Sequence, residues 1–376
     1  MKLAFTVPYS THHDILSENH ENIGGLIKVP MQINGLQCAG VVVDRYDLPM
    51  VIDTPFYFFK SLYDSYKTLR DLISSSSYDI VFIRHLFPYI TNYLALNRKH
   101  TCIIVFEVHD ISRGFTLRKN YTVSENMKYL YLKVMDLILL KKLLLCSQGV
   151  VSVTSEISKH TRSITNGDLQ YLSLGNGIDV SKSSLRHSPQ YWEKTSLNIL
   201  CVAQVAYWHG IDRFIRGMHD YSGDNTIILH IVGDGAELPN LKSLASELHL
   251  ESQVIFHGFK SGADLDAMFD LCHIALGSLA GFRIGLNEFS SLKTKEYCAR
   301  GIPFLMASKD VDISEEWEFT RMVPYDESPI DMNTVINFAE KVMADPNHPQ
   351  KMRAFAEENL DWHAKMKTLK EFLETL

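Results

Sequence analysis

Short apolar runs, rich in β-branched residues, alternate with longer helical stretches along almost the whole chain. Strands this apolar are typical of parallel sheets that helices cover on both faces. The sequence therefore predicts an α/β fold. In the first half we expect strands at Lys2–Val7, Gly40–Val43, Asp79–Ile83, Cys102–Glu107, Val150–Val153 and Tyr171–Leu174, and helices at Pro55–Ser74 and Asn126–Leu145.

A second series of the same kind follows a polar stretch, Asp179–Ser196, which we interpret as an interdomain linker. With 376 residues, the chain is long enough for two doubly wound, Rossmann-like domains. We predict that they face a central cleft and span residues 1–185 and 190–359. The expected strands of the second domain are Asn198–Val202, Thr226–Val232, Gln253–Phe256, Ile274–Gly277 and Ile302–Met306, and its helices include Gly210–His219, Glu237–Leu248, Asp264–Asp270 and Leu292–Arg300.

Charge and cysteine usage exclude several classes of protein. Acidic residues outnumber basic ones by 44 to 37, so the chain lacks the cationic footprint that general nucleic-acid binding needs. The six cysteines are scattered singly with no zinc-ligand spacing, which predicts free thiols and a reducing compartment. We expect a soluble, cytoplasmic protein.

The most apolar long segment, Lys128–Gly149, is interrupted by Lys133, Asp136, Lys141 and Lys142. It is therefore not predicted to span a membrane, which takes about 20 consecutive apolar residues. A core helix is one interpretation of this segment. The other is peripheral contact with an anionic membrane, because Arg113, Arg118 and Lys119 lie nearby in sequence.

The segment Gly281–Leu305 holds the richest group of polar residues. A loop ends at Glu288, and Ser290 or Ser291 can then provide the N-cap of a helix that starts at Leu292 and stops near Gly301. The unpaired N–H groups of a first helical turn carry positive partial charge and can hold a phosphate.

Lys293 adds a full positive charge to that turn, while Glu288 and Glu296 lie on either side of it in sequence. The helix start and Lys293 would hold a diphosphate, and the two carboxylates would accept hydrogen bonds from hydroxyl groups on either side. This is the polarity of a nucleotide sugar. Taken alone, the same residues also fit a solvated surface helix.

The stretch EFSSLKTKE, followed by YCARGIPFL, resembles the Glu-x7-Glu signature of retaining GT-B glycosyltransferases, in particular glycosyltransferase family 4. Its surroundings agree in order: IILHIVGDGAELPNLKSLASEL, QVIFHGF and DLDAMFDLCHIALGSL precede the signature, and LSLGNGIDVSK lies further upstream. The closing residues, 360–376, resemble the tail helix that crosses back to the first domain in that family.

The resemblance implies a GT-B enzyme that moves a hexosyl unit from a UDP- or GDP-type sugar to a carbohydrate or lipid-linked acceptor, with retention of configuration. Surface polysaccharide or glycoconjugate synthesis is the expected setting. The second domain would bind the donor, with Glu296 on the ribose and Glu288 on the sugar hydroxyls. Ser290, Ser291, Leu292 and Lys293 would form the diphosphate site.

The chain departs from the family where an Arg and a Lys usually point at the diphosphate. Gln204 and His209 occupy the matching stretch, VAQVAYWHGID. Either His209 donates a hydrogen bond or takes up a partial charge beside the phosphate, or Lys293 replaces the missing cation. Loss of activity is the third interpretation.

Further candidates come from strand ends. Gly235, in the GDGAEL turn, and Gly258, in QVIFHGF, are expected near the nucleotide, although the first also fits an ordinary strand-to-helix turn. A dinucleotide-binding site there is disfavoured because Leu238 replaces the third glycine of that motif.

In the first domain, FEVHDI ends a strand, and the resemblance implies that His109 contacts the donor sugar; a structural histidine with Asp110 as a cap is the alternative. Gly24 and Gly25 match the glycine loop that in the family lies against donor and acceptor, or they form a bare turn.

No metal or cofactor is predicted, since no Asp-x-Asp pair follows a convincing strand and GT-B enzymes generally need none. Two other activities fit the same fold. A nucleotide-sugar epimerase would release a free sugar epimer without an acceptor. A non-catalytic GT-B subunit would bind the donor without turnover.

Overall fold

A six-stranded, fully parallel sheet forms the centre of each of two units in the computed structural model. The structure describes residues 1–10, 21–50, 55–84, 89–109, 134, 136–187 and 196–376. The first unit comprises Met1–Gly175 and Trp362–Leu376, and the second comprises Asn176–Asp361.

The first unit orders its strands β2-β1-β3-β4-β5-β6. Its strands are β1 (Lys2–Ser10), β2 (Val42–Met50), β3 (Ile80–Arg84), β4 (Ile103–Val108), β5 (Gly149–Ser152) and β6 (Gln170–Ser173). Its helices are α1 (Glu21–Cys38), α2 (Pro55–Ser74), α3 (Tyr89–Leu96), a π-helical turn (Asp136–Leu140), α4 (Lys141–Leu144), α5 (Ser155–Ile164) and the C-terminal α12 (Trp362–Leu373).

The second unit orders its six main strands β14-β12-β10-β7-β8-β9, with β11 and β13 paired separately. The strands are β7 (Ser196–Val202), β8 (Thr226–Val232), β9 (Val254–Gly258), β10 (Ile274–Leu276), β11 (Glu288–Phe289), β12 (Phe304–Met306), β13 (Lys309–Asp310) and β14 (Thr320–Met322). The helices are α6 (Ile211–Asp220), α7 (Leu238–Glu247), α8 (Gly262–Leu271), α9 (Leu292–Arg300), α10 (Met332–Met343) and α11 (His348–Asn359), and short 3₁₀ turns lie at Val180–Lys182, Tyr207–His209 and Gly281–Ile284.

The central strands are buried on both faces, as their continuous apolar sequences predict. Every residue of β3, β5, β10 and β12 is buried, so these strands cannot alternate between apolar and polar side chains. Helices cover both faces of each sheet because a parallel sheet needs a crossover between neighbouring strands. This confirms the predicted pair of doubly wound, Rossmann-like α/β domains.

The start of the second unit lies earlier than the polar composition of Asp179–Ser196 suggested. Ile178 bridges to Asp361, Val180 joins the core of the second unit, and the Arg186 guanidinium donates to the carbonyl of Cys272 at 2.9 Å. The first part of the predicted linker is therefore packed. Composition misled here because buried polar side chains that find backbone partners look the same in sequence as solvated ones. Residues 188–195 lie outside the described part of the chain.

One prediction for the first unit is wrong. Gly24 and Gly25 lie within α1, not in a loop, even though this helix also contains Pro30. The segment Asn126–Leu145, expected to be a helix, is helical in its described part, as a π-helical turn that leads into the four residues of α4. The rest of that segment, apart from Val134, lies outside the described residues.

Within the described part of the chain, no helix is long and apolar enough to cross a membrane.

The C-terminal helix α12 belongs to the first unit, where it packs against α1 and beneath the sheet. Trp362, Met366, Leu369 and Leu373 are buried in the same cluster as Phe5 of β1. The close approach depends on Gly35 of α1, since a Cβ atom there would lie 2.9 Å from the carbonyl oxygen of Trp362 and 2.7 Å from Cγ of Met366. The tail helix predicted over 360–376 thus completes the first core.

We expect Gly35→Ala to destabilise the protein, although Gly→Ala inside a helix ordinarily stabilises it by about 0.5–1 kcal/mol. The added methyl group would push α12 away from α1, which costs about 1–3 kcal/mol for overpacking. Chemical denaturation would measure the change. Gln37→Ala, at an exposed position of the same helix, is the control and should stay within about 0.5 kcal/mol. A stabilised Gly35→Ala variant would contradict the packing described here.

Candidate functional site

The strand order of the second sheet reverses at β7, which has β8 on one side and β10 on the other. In open parallel sheets, ligands bind at the carboxyl ends of the strands, beside such a switch point. The loop Ala203–Gly210, which carries the predicted residues Gln204 and His209, follows β7. The stretch Gly277–Leu279, which contacts Lys293 and His209, follows β10. The topology therefore brings together candidates that are far apart in sequence.

His209 ends the 3₁₀ turn in the loop after β7. Its Nδ1 atom accepts the backbone N–H of Ala206 at 3.2 Å, so the ring proton is on Nε2. Burial and the nearby charge of Lys293 hold the pKa of His209 well below its usual value. His209 is thus a neutral hydrogen-bond donor and not a replacement for a cation.

The residues that follow β10 fix the backbone around His209. The carbonyl of His209 accepts the N–H of Leu279 at 3.0 Å, and the carbonyl of Trp208 accepts the N–H of Ala280 at 3.2 Å. Gly210 has φ +65°, and a Cβ atom there would meet Ala280 at 2.9 Å. The tight turn thus needs glycine for its conformation and for space.

Arg283 anchors the same loop from outside. Its guanidinium donates to the Tyr207 carbonyl at 2.6 Å and to both carboxylate oxygens of Asp212 at 2.8 Å, and it also pairs with Glu327. Bidentate pairs of this kind fix orientation as well as distance. Our sequence reasoning did not include Arg283, because its partners are distant in sequence.

Lys293 lies in the first turn of α9 and donates from Nζ to the carbonyl of Gly277 at 3.1 Å. The structure therefore places this cation at the carboxyl end of β10, beside the loop that holds His209. Burial lowers the pKa of Lys293 to about 8. A half-buried ammonium with a single described carbonyl partner is suited to bind an anion.

The structure corrects the predicted side-chain cap of α9. Ser291 occupies the N-cap position of α9, but its side chain makes no capping hydrogen bond. Ser290 instead accepts the backbone N–H of Asn176 at 2.6 Å, and its carbonyl accepts from the Asn176 side chain at 2.7 Å. Ser290 ties β11 to the start of the second unit, and the first turn of α9, from Leu292 onward, carries no side-chain cap.

The two glutamates of the signature lie at opposite ends of this segment. Glu288 is in the short strand β11, opposite Lys309 of β13. Glu296 is one turn into α9, where its carboxylate accepts from Nε of Arg300 at 2.8 Å. Arg300 also pairs with Asp266, so Glu296 is one of two carboxylates that share this guanidinium.

Tyr297 and Lys295 fix α9 in place, and our sequence reasoning missed both. The Tyr297 hydroxyl accepts the N–H of Val202 at 3.2 Å and donates to the carbonyl of Leu276 at 3.1 Å, which links the ends of β7 and β10. Burial raises the pKa of Tyr297 well above its usual value. Charged and apolar residues alternate in LKTKEYCAR, so the sequence does not indicate that Lys295 and Tyr297 are buried.

Lys295 is fully buried, and it pairs with Asp310 of β13 and with Asp312 at 2.8 Å. Burial alone would lower the pKa of Lys295, but the two carboxylates raise it above its usual value. Thr294 donates to Asp310 at 2.9 Å as well. These contacts hold the first turn of α9 against β13.

The turns after β8 and β9 lie along the same edge. Gly235 packs on the loop after β7, since a Cβ atom there would be 2.2 Å from the carbonyl oxygen of Val205. Gly258, with φ +66°, accepts the N–H of Gly233 at 2.8 Å. Gln204 is exposed on the β7 loop. Phe259, which no sequence motif indicated, is 79% exposed directly after β9.

In the first unit, His109 follows β4 and lies in a buried ionic cluster that the sequence did not reveal. Arg84 Nε donates to its Nε2 at 3.2 Å, and Lys28 Nζ lies 3.3 Å from its Nδ1. Glu107 Oε2 is 3.1 Å from Nε2. Burial, together with the two nearby cations, lowers the pKa of His109 to about 4, so the imidazole is neutral. Asp110 lies outside the described residues.

A known protein family matches part of the chain. The family described as "Glycosyl transferases group 1" matches residues 186–309, that is 124 of 376 residues. The matched stretch contains the His209 loop, the Gly235 turn and all of α9. No curated protein matches the chain in sequence.

Solved structures share the fold along the whole chain. The sucrose-phosphate synthase of Thermosynechococcus elongatus aligns with TM-score 0.66 at 14% identity, covering 100% of this chain and 98% of the other. Anabaena HepE in complex with UDP-glucose aligns with TM-score 0.64 at 14% identity, covering both chains completely. The lipopolysaccharide outer core galactosyltransferase WaaB, in its apo form, gives 0.63 at 13% identity, again covering both chains.

These likenesses show that the protein has the GT-B fold, as the sequence predicted. The family match adds that its second unit is similar to group 1 glycosyltransferases. Membership of family 4, and the role of the Glu-x7-Glu signature, stay predictions.

We expect Lys295→Met to destabilise the second unit by about 3–5 kcal/mol, because it leaves two carboxylates without their buried partner. Lys309→Met is the control, since Lys309 is exposed and forms an ion pair with the exposed Glu315, so its loss should cost at most about 1 kcal/mol. Because the pKa of Lys295 is raised in the folded state, its stabilisation should persist at neutral pH and be lost only above the usual lysine pKa of about 10.4. Denaturant unfolding at several pH values would measure both effects. Equal losses in the two variants would contradict the assignment.

Proposed function

We propose that the protein is a retaining glycosyltransferase that transfers a hexosyl unit from a nucleoside-diphosphate sugar to a carbohydrate or lipid-linked acceptor. The observation that carries the proposal is the arrangement at the switch point of the second sheet. There, the uncapped first turn of α9, the half-buried ammonium of Lys293 and the neutral donor His209 follow neighbouring strands. The group 1 glycosyltransferase match covers the same residues.

The diphosphate would bind at the N–H groups of the α9 first turn, from Leu292, with Lys293 and Nε2 of His209 as further donors. Helix N-termini stabilise phosphates through aligned N–H groups, and a lysine adds point charge. Once an anion is present, Lys293 would exchange its Gly277 carbonyl for a phosphate oxygen. Gln204, which is exposed on the same loop, would contribute at most a neutral hydrogen bond.

The ribose would bind at Glu296 and the donor sugar at Glu288, each through hydrogen bonds to a carboxylate. Gly235 and Gly258 would let the backbone approach the nucleoside closely, and Phe259 offers an exposed ring on which a base can stack. A UDP- or GDP-type donor fits these groups. Anabaena HepE was solved with UDP-glucose, which supports a donor of this class.

Transfer would break the bond between the anomeric carbon and the diphosphate and form a bond from that carbon to an acceptor hydroxyl. The electron pair leaves with the diphosphate, which can also take up the acceptor proton. Stabilising the departing charge is then the main catalytic task, and preorganised N–H donors with Lys293 supply it. The first unit would bind the acceptor, and its His109 would contact the donor sugar.

We expect Glu296→Ala to weaken the binding of a nucleoside diphosphate by about 1.5–3 kcal/mol, the worth of a charge-assisted hydrogen bond. Titration calorimetry with UDP and GDP would measure this, and transfer at saturating donor should change less. Arg300 keeps Asp266 as a partner in the variant, which limits structural side effects. Glu358→Ala, at an exposed position of α11, is the control. Unchanged affinity would rule out the ribose assignment, and no binding of any nucleoside diphosphate would contradict the proposed function.

We also expect the product to keep the anomeric configuration of the donor, and EDTA to leave the activity unchanged. The second expectation follows because the α9 N-terminus and Lys293 can neutralise the leaving diphosphate without a divalent ion. NMR of the freshly formed glycoside would report the configuration, and an inverted centre would contradict retention. Activity that is lost in EDTA and restored by Mg²⁺ or Mn²⁺ would contradict metal independence.

The same assay separates the two alternative activities. A nucleotide-sugar epimerase would release a sugar epimer in the absence of any acceptor. A non-catalytic subunit would bind nucleoside diphosphates without turnover across a wide acceptor screen. The loss of charge at Gln204 and His209 is the observation that keeps the second alternative open.

We further propose peripheral contact with a membrane through the segment that ends in α4. Leu140, Leu143 and Leu144 are buried, which agrees with a core role for one side of this segment. Ile138 is nevertheless 52% exposed, and it lies near the exposed Lys141 and Lys142. Exposed apolar residues beside lysines are typical of surfaces that bind anionic lipid.

Vesicles that contain phosphatidylglycerol should therefore pellet the protein at low salt. The double variant Lys141→Glu/Lys142→Glu should bind about thirtyfold more weakly, since each basic residue near an anionic surface contributes about 1 kcal/mol. The double variant Lys182→Glu/Lys351→Glu, with exposed lysines of the second unit, should bind like the wild type. Failure of the wild type to pellet would rule out the membrane proposal.

A further inference from the structure

The buried ionic cluster at the carboxyl end of the first sheet holds one carboxylate between two cations and an imidazole. Glu107 Oε1 lies 3.4 Å from Lys28 Nζ, and Glu107 Oε2 lies 3.6 Å from Arg84 Nε. The carboxylate also accepts from the Gln32 amide at 2.9 Å. Lys28, Arg84 and Glu107 are each at least 94% buried, so solvent does not screen these contacts.

The strand geometry determines which side chains meet. Glu107 and His109 are two residues apart around the end of β4, and the alternation of an extended chain directs such residues to the same face. Arg84 ends β3, the neighbouring strand, and is paired with Glu107 in the register of the sheet. Lys28 and Gln32 are four residues apart on α1 and so reach the same group from one helix face.

His109 is held from both ring nitrogens. Arg84 donates to Nε2, and Lys28 lies against Nδ1, while Glu107 is within ion-pair distance of both cations. A neutral imidazole has a single lone pair, so only one cation can donate to it at a time. The charge of the other cation is balanced by Glu107, whose Oε2 also lies 3.1 Å from Nε2 of the ring. Removal of Glu107 would therefore release the ring as well as the charges.

Fold stability alone is a poor reason to keep this cluster. Replacing a buried ion pair by apolar side chains of similar volume is often neutral or stabilising. Here Nη1 of Arg84 is buried without a hydrogen-bond partner among the described residues, which adds a further cost. The cluster lies at the carboxyl ends of β3 and β4, the edge of a parallel sheet where ligands bind.

We propose that Glu107 is a positioning residue, whose carboxylate holds Lys28 and Arg84 against the ring of His109 and so fixes this histidine at the end of β4. The proposal rests on the proposed function, in which His109 contacts the donor sugar. Glu107 itself touches no substrate. Its effect on transfer must therefore pass through His109, and this separates positioning from a general structural role.

A double-mutant cycle tests this with the full-length protein. Transfer from a radiolabelled nucleotide sugar, or its hydrolysis, would be measured for wild type, Glu107→Gln, His109→Ala and the double variant. We expect Glu107→Gln to lower kcat about tenfold to a hundredfold, the range that follows from small misplacements at a reacting centre. The donor KM and the affinity for UDP should change less than twofold. In the His109→Ala background, Glu107→Gln should cause no further loss, because residues that act as a unit are not additive.

A charge-balanced variant guards against simple unfolding. Glu107→Gln leaves two buried cations unopposed and should lower the midpoint of thermal unfolding. Adding Lys28→Met removes one of them, and the midpoint should recover in part while kcat stays low. Gln32→Leu is the matched control, since it removes a contact to Glu107 while both cations keep their carboxylate, and its kcat should stay within about threefold of the wild type.

Four results would overturn the inference while the wild type remains active: additive losses in the cycle, kcat that recovers together with stability, a wild-type kcat in Glu107→Gln, or no effect of His109→Ala. Absence of both transfer and donor hydrolysis in the wild type would instead contradict the proposed function, and with it the basis of the inference.

Discussion

The hydroxyl of Tyr297 connects α9 to the two strands that flank the switch point of the second sheet. The hydroxyl accepts the N–H of Val202, the last residue of β7, and donates to the carbonyl of Leu276, the last residue of β10. The ring is fully buried. Leaving either buried backbone group without its partner would cost about 1–3 kcal/mol. With Lys295 paired to Asp310 and Asp312, this contact fixes both the position and the direction of α9. The diphosphate site proposed here depends on that direction, since an N-terminus binds an anion only when its N–H groups point at it.

Charge is used differently at the two candidate sites. In the second unit, Lys293 has only a backbone carbonyl as its described partner, so the proposed phosphate would replace a weak contact with a strong one. In the first unit, Lys28 and Arg84 are already held by Glu107, so their charge is committed to fixing His109. The first arrangement suits binding, and the second suits orientation. A glycosyltransferase needs both, because its catalysis consists largely of placing the donor and stabilising the departing diphosphate.

The structure shows how the site can work without the two cations that the family pattern has in the stretch of Gln204 and His209. His209 cannot take up a proton easily, since it is buried beside Lys293 and accepts a backbone N–H on Nδ1. The nearby positive charge is therefore concentrated on Lys293, and His209 contributes a directed N–H. One cation combined with neutral donors still stabilises a diphosphate where water is scarce, because hydrogen bonds strengthen in a medium of low dielectric.

The sequence by itself determined the alternation of buried strands and helices, and hence two parallel sheets of the GT-B type. It also determined the limits of α2 and α9, because apolar periodicity and, at the end of α9, Gly301 are local signals. It could not reveal that α1 runs through Gly24, Gly25 and Pro30, since tertiary packing can outweigh low helix propensity, and this helix packs against α12 at Gly35. Nor could it show that the polar residues near Arg186 are packed, or that Tyr297, Lys295 and Glu107 are buried beside the candidate sites. Most of their partners lie between 15 and 95 residues away in sequence. Only the tertiary structure decides which strand ends, and therefore which charges, come together.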